Sequence, residues 1–390
     1  MHNIRSPVVF FYGSLILLYF TDMGMMIGMI WASLAITNSP FFLGLTLCLG
    51  ASVPYIFKKI FSKKYMKSLT LKRLYMMRII LYVLILSLIF INIAETFYGL
   101  FITIILFGIV NVFTLTTYET YNSYFVNQQD ISSDIASRVM QTVLQSGAFL
   151  GAVIAGLIIK RFGYLNLILF LSLFELLINF VFLYNKYFDV QLSPVNKISL
   201  LKDNKEKPTK PLYLFSLSLA FIGVHISAFN LLSTIIFQDL NQWDSEIFGY
   251  ASGIAGIGAF IASFITLKRI PIFAFILALL SMDYIYSYAS SITIAITSSF
   301  FIGFCINTVR IYLRKIMLDY AKTPYLSHKM GEISTFFYVF FQSLGSVIIG
   351  LIISENIIEL NTSRIILSII GLFILISFVF NKFFTKQEQL

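Results

Sequence analysis

No residue between Arg138 and Lys160 carries a charge, and small side chains recur through that run at helical spacing. On a helix, Ala148, Gly151, Ala152 and Ala155 share an arc of about 100°. A face that smooth lets a second helix approach closely, which is how helices associate where water does not drive them together. The run then recurs. Gly151-Ala-Val-Ile-Ala-Gly156-Leu-Ile-Ile is echoed by Gly345-Ser-Val-Ile-Ile-Gly350-Leu-Ile-Ile, and both glycine pairs lie 194 residues apart (345 − 151 and 350 − 156) in a chain of 390. A membrane-length helix repeated at half the chain predicts two similar halves facing each other, a plan used to move a solute through the seam. Gly147, Gly151, Gly156, Gly345 and Gly350 are the expected helix-packing positions.

The chain is 58% hydrophobic and 12% charged, against about 25% charged in a soluble domain. Its apolar residues come in runs of membrane length, and twelve spans are expected: 8–36, 41–57, 74–94, 98–119, 138–159, 164–184, 212–237, 247–267, 271–289, 292–313, 332–354 and 363–382. Each is near the roughly 20 residues a helix needs to cross hydrocarbon. The expected fold is therefore all-α and integral to a membrane, with twelve helices in two pseudo-symmetric six-helix bundles. The first bundle covers 1–184, a polar linker 185–211, and the second bundle 212–390.

The net charge of +10 is a topology signal rather than a nucleic-acid signal, because the basic residues collect in a few loops. Lys58, Lys59, Lys63, Lys64, Lys67, Lys72 and Arg73 follow span 2. Lys186, Lys197, Lys202, Lys205, Lys207 and Lys210 fill the linker, where they either attract anionic lipid heads or simply solvate it. With twelve spans these loops share one side, the cytoplasm, with both termini. Lys160, Arg161 and Arg364 are the outer-side exceptions. Cys48 and Cys305 stand alone inside apolar runs without metal spacing. No phosphate-binding loop, zinc pair or nucleophile elbow is present, so no catalytic residue, metal or cofactor is expected.

Twelve spans, a basic central loop and glycine-spaced fifth and eleventh spans resemble the major facilitator superfamily. The stretch from Tyr121 to Gly163, with Asn-Gln-Gln-Asp-Ile-Ser-Ser-Asp-Ile-Ala-Ser-Arg leading into the glycine-rich span, resembles the branch of macrolide-efflux and enterobactin-exporter proteins. Two departures stand out. The G-x-x-x-D-R-x-G-R-R pattern after span 2 is missing, where this chain has Gly50-Ala-Ser-Val-Pro-Tyr-Ile-Phe-Lys-Lys, and span 5 keeps its glycines without the accompanying proline. The resemblance implies a monomer in a bacterial inner or plasma membrane, working on a small-molecule substrate with protons and membrane lipids as its other partners.

An ionisable group at membrane depth costs roughly 2.5–3.5 kcal/mol on insertion scales, so each is a candidate functional residue. Asp22 stands in the middle of span 1, where it either exchanges protons and meets a cationic substrate or pins span 1 by a hydrogen bond. Glu119 ends span 4 and Arg310 lies in the inner half of span 10, three residues after Asn307. Glu119 and Arg310 would pair to close an inner gate, with Glu119 a second proton-coupling group. Alternatively, Arg310 binds a carboxylate-bearing substrate. His225 lies in span 7, a cavity-lining span by family analogy, where it is a proton relay or substrate contact, or equally a hydrogen-bonded packing residue. Substrate binding thus falls to Asp22, His225, Asn307 and Arg310. Glu175 and Asp283 lie on spans that are peripheral in the family, and a structural role is expected for them.

The function expected is secondary transport by alternating access: proton-coupled export of a small amphipathic molecule such as a drug or siderophore. Proton-coupled uptake and lipid flipping are the alternatives in the same fold. An intramembrane enzyme would need His, Asp or Ser gathered at one depth, and the polar residues are scattered.

Overall fold

The computed structural model describes residues 6–61, 70–127, 130–131, 133–185, 210–264, 271–320 and 324–387. Twelve α-helices run through them: α1 (Ser6–Thr37), α2 (Pro40–Phe61), α3 (Leu71–Phe90), α4 (Phe97–Asn127), α5 (Ser133–Phe162), α6 (Tyr164–Leu183), α7 (Lys210–Ile235), α8 (Ser245–Phe264), α9 (Ile272–Ser287), α10 (Ile292–Tyr320), α11 (Pro324–Ser354) and α12 (Ile366–Gln387). Eleven are long and apolar enough to cross a membrane; α9 is the shorter one. The protein is a multi-pass membrane protein built from helices alone among the described residues.

Local chemistry sets the helix ends. Pro40 opens α2, where its missing N–H is no loss. Thr70 caps α3 by accepting from the Arg73 N–H at 3.3 Å. Gly163 separates α5 from α6 at φ +82°, a conformation that suits glycine. The last turn of α7 widens into a π-helical segment, Ile236–Leu240. Helices α4, α10 and α11 are 31, 29 and 31 residues long. They run beyond the spans predicted from hydropathy, because polar residues at their ends still form helix once outside hydrocarbon.

The chain contacts divide into two compact units. One holds Met1–Asn38, Leu49–Val195 and Asp244–Gly256; the other holds Ser39–Cys48, Asn196–Trp243 and Ile257–Leu390. Both α2 and α8 are therefore split between units. In the first unit α1 packs on α5 and α3 on α6. In the second, α7 packs on α11 and α9 on α12. The first-to-fifth and third-to-sixth pairings thus repeat.

Helix α6 shows the packing rule of a lipid-solvated protein. Leu171, Ser172, Glu175, Ile178 and Asn179 are buried, whereas Phe170, Leu173, Leu177, Phe180 and Val181 are exposed. The two sets alternate at i, i+3, i+4, i+7, so from Phe170 to Val181 the polar groups face inward and the outward face is apolar. Hydrocarbon makes that outward face inexpensive, while the inward polar groups must satisfy one another.

The small residues of α5 meet backbone directly. A Cβ on Gly156 would stand 2.7 Å from the Ser245 carbonyl oxygen and 2.9 Å from the Gly249 Cα. Ser245 donates its hydroxyl to the Gly156 carbonyl at 3.2 Å. Gly147 and Gly151 take the α1 backbone near Ile16 and Phe20, Gly345 lies against Val224, and Gly350 against the Pro40 carbonyl.

Candidate functional site

Three charged side chains meet inside the first unit, from helices α1, α3 and α6. Arg78 Nη2 lies 2.9 Å from Asp22 Oδ1 and 2.8 Å from Glu175 Oε1. The fork is used on both sides, with Nη1 reaching Asp22 Oδ2 at 3.3 Å and Nε reaching Glu175 Oε2 at 3.2 Å. All three side chains are shut off from the surface.

Neighbours one turn away complete the cluster. Tyr82, at i+4 from Arg78, donates to Asp22 Oδ1 at 3.3 Å. Asn179, at i+4 from Glu175, donates to Oε2 at 2.6 Å. Thr21 donates to Glu175, and Thr114 of α4 accepts from Arg78 Nη1 at 2.5 Å. Four helices are thus tied at one point. Toward the ends of the same helices, Tyr118 shares hydrogen bonds with Ser14 (2.7 Å) and Tyr75 (3.0 Å), and Tyr12 donates to Asn122 at 2.5 Å.

Two carboxyl groups face one guanidinium. Full ionisation would leave a net negative charge in a dry core, and a single proton makes the cluster neutral. A buried ion pair is poor evidence for stability, since desolvation offsets its attraction. An acid–base–acid cluster that alternates between neutral and charged is suited to holding and releasing a proton.

The second unit carries a related pair on the matching helices. His225 Nε2 of α7 lies 3.0 and 2.9 Å from the two Asp283 carboxylate oxygens of α9, and both residues are buried. On α12, where α6 offers Glu175, Gly371 brings the backbone close: a Cβ there would stand 2.9 Å from Asp283 Oδ2. The order of charge is inverted between the units, acid on α1 and base on α3, base on α7 and acid on α9.

The structure gives the sequence candidates definite surroundings. The Asp22 oxygens accept hydrogen bonds from Arg78 and Tyr82, in keeping with the pinning alternative. Glu175 and Asp283, for which a structural role is expected, lie inside the two clusters. His225 is 1% exposed and faces Asp283 within its own unit rather than an open cavity. Asn307 gives its amide to the Ala259 carbonyl (2.6 Å) and Ser263 (3.3 Å), tying α10 to α8. The side chain of Glu119 lies outside the described residues, as does any pairing with Arg310. Arg310 itself stands 5.7 Å above the Tyr338 ring.

Arg78 had no place among the sequence candidates. Residue 78 lies inside the span expected at 74–94, and the helix formed there is Leu71–Phe90, which holds Arg78 within it. A cation amid Tyr-Met-Met-Arg-Ile-Ile-Leu-Tyr was the available signal.

No protein-family model matches the sequence, and no curated protein matches it. Solved structures do. The crystal structure of the nucleoside transporter NupG superposes with a TM-score of 0.63 at 13% identity, covering 94% of this chain and 98% of that one. A bacterial homolog to the human lysosomal transporter Spinster, in an inward-facing and occupied conformation, gives 0.69 at 11% identity over 98% and 97%. The likeness shows the fold: the all-helical, multi-pass architecture of these two transporters.

Proposed function

We propose that the chain is a proton-coupled secondary transporter working by alternating access. Residues 1–184 and 212–390 act as the two bundles, and 185–211 is a cytoplasmic tether between them. Both termini face the cytoplasm. The observation that carries this reading is the closed Asp22–Arg78–Glu175 cluster, in which two carboxyl groups share one guanidinium at the junction of four helices. Proton loss leaves a charge that the dry interior disfavours, so release is favoured in a conformation that admits water. That links protonation to the exchange between states.

Export of a small amphipathic molecule, drug-like or siderophore-like, follows from the resemblance of Tyr121–Gly163 to the exporter branch. The direction of travel is tested in vesicles holding purified protein, with an imposed pH gradient of either sign and a panel of candidate solutes. Export predicts accumulation in inside-out vesicles that are acidic inside. Accumulation of the solute alongside entering protons would mean uptake. Absence of any gradient-driven movement across a panel that binds would remove proton coupling. A deletion strain grown under iron limitation and against a drug panel narrows the solutes to try.

A further inference from the structure

We infer that the cavity between α7, α10 and α11 binds an amphipathic organic anion, with Arg310 as its charge partner; this names the substrate class of the transporter proposed above. The cavity measures about 320 Å³, at the small end of ligand pockets. Its polar wall is cationic. Arg310 and Arg314 lie one turn apart on the same face of α10 and both line it, and no carboxylate does among the described residues.

Arg310 is held in a particular way. Its guanidinium lies over the Tyr338 ring, 5.7 Å from the centroid, which fixes the plane through its face. The edge donors are left over, and Nε is buried with no hydrogen-bond partner among the described residues. A stacked guanidinium with an unused edge presents the fork that matches a carboxylate or phosphate. Ser334 and Thr335 add hydroxyls, while Leu219, Met317 and Met330 supply an apolar wall.

Charge excludes the other classes. A cation would meet the unmatched Arg310 edge, with no acid in the wall among the described residues. A neutral apolar molecule would displace water from Arg310 and leave its donors unmatched, a loss that rejects such ligands strongly. An anion with an apolar body satisfies both walls.

The test uses the full-length protein in detergent and a panel of aryl monocarboxylates, each with its primary amide and the matching amine. Binding is read as an upward shift of the unfolding midpoint with ligand concentration. Carboxylates should stabilise the protein, their amides bind on the order of tenfold more weakly or worse, and the amines not at all. Arg310→Met should erase the difference between acid and amide, while Arg310→Lys keeps part of it. If Arg310→Met does not fold, Arg310→Gln serves as the neutral variant. Acid and amide binding alike to the wild type, no acid in the panel binding, or a neutral variant that still discriminates would each overturn the anion site.

Glu175→Gln separates this inference from the transport reading, because Glu175 does not line the cavity. Anion binding kept in that variant, with no gradient-driven transport by the wild type, sinks proton-coupled transport and leaves the site standing. Transport by the wild type without acid–amide discrimination sinks the site alone.

Discussion

Replacing Arg78 with methionine is the sharpest challenge to the buried cluster. The change keeps much of the apolar stem and removes the one cation that Asp22 and Glu175 share. Arg78 makes four charged contacts within 3.3 Å, two to each carboxylate, and a fifth to Thr114. Removing one partner of a buried pair costs about 3–5 kcal/mol, because the charge left behind is uncompensated. At roughly 2–4 °C per kcal/mol for a unit of this size, the unfolding midpoint should fall by about 6–20 °C. Arg78→Lys keeps the charge but loses the fork, and should fall between. The triple variant Asp22→Asn, Arg78→Met, Glu175→Gln removes the stranded charges and should regain most of the loss. The assay is thermal unfolding in detergent at neutral pH, followed by fluorescence or by a thiol dye at Cys305. An Arg78→Met midpoint within about 2 °C of wild type, or a triple variant no better than the single, would show that these charges are not packed as described.

Other outcomes follow from the same geometry. Asp22→Asn and Glu175→Gln should each fold and bind solute but lose the response of transport to an imposed pH gradient; an unchanged response in both would remove the cluster from coupling. Asp283→Asn leaves His225 with a weaker partner and should lower the midpoint by about 1–3 kcal/mol in equivalent stability, measured by the same unfolding curve; no change would mean the pair is solvated. Asn307→Ala should destabilise by about 0.5–1.5 kcal/mol through loss of its hydrogen bonds to α8, the Ala259 carbonyl keeping the Ser263 hydroxyl as a donor, while leaving solute affinity within error, and a large affinity loss at full stability would place it in the binding site. Gly156→Leu should overpack the contact with Gly249, costing about 1–3 kcal/mol, and should speed labelling of a cysteine introduced at Ala152; unchanged labelling would argue against that close approach.

The spans, the half-repeat and the charges inside them were legible because each is a local property of sequence. Asp22, Glu175, His225 and Asp283 stand out among apolar neighbours without any structure. Their pairing was not legible, since Asp22 and Glu175 meet across more than a hundred residues and nothing near either names the other. The glycine repeat survives in sequence because backbone approach demands small residues in both halves. The ion clusters leave no such echo, because the second unit inverts the charges and puts Gly371 near the place of Glu175. Arg78 lies inside an expected span, but its two acidic partners sit 56 and 97 residues away in sequence, and the amide of Asn307 likewise does not name its recipient, Ala259, 48 residues away.

The division of α8 has a mechanical corollary. Asp244–Gly256 belongs with α5, through the bare Gly156–Gly249 contact and the Lys160–Glu246 ion pair, while the same rod continues from Ile257 into the other unit, where Gly258 abuts the α10 backbone near Phe300. If the units turn apart in the transport cycle proposed above, a rigid rod cannot follow both. Either the glycine contact on α5 then unfastens as a piece, or α8 flexes near Gly256, where an added Cβ would meet nothing nearer than 3.6 Å. The rate of that cycle would then be set at this joint, on a helix that supplies no side chain to either ion cluster.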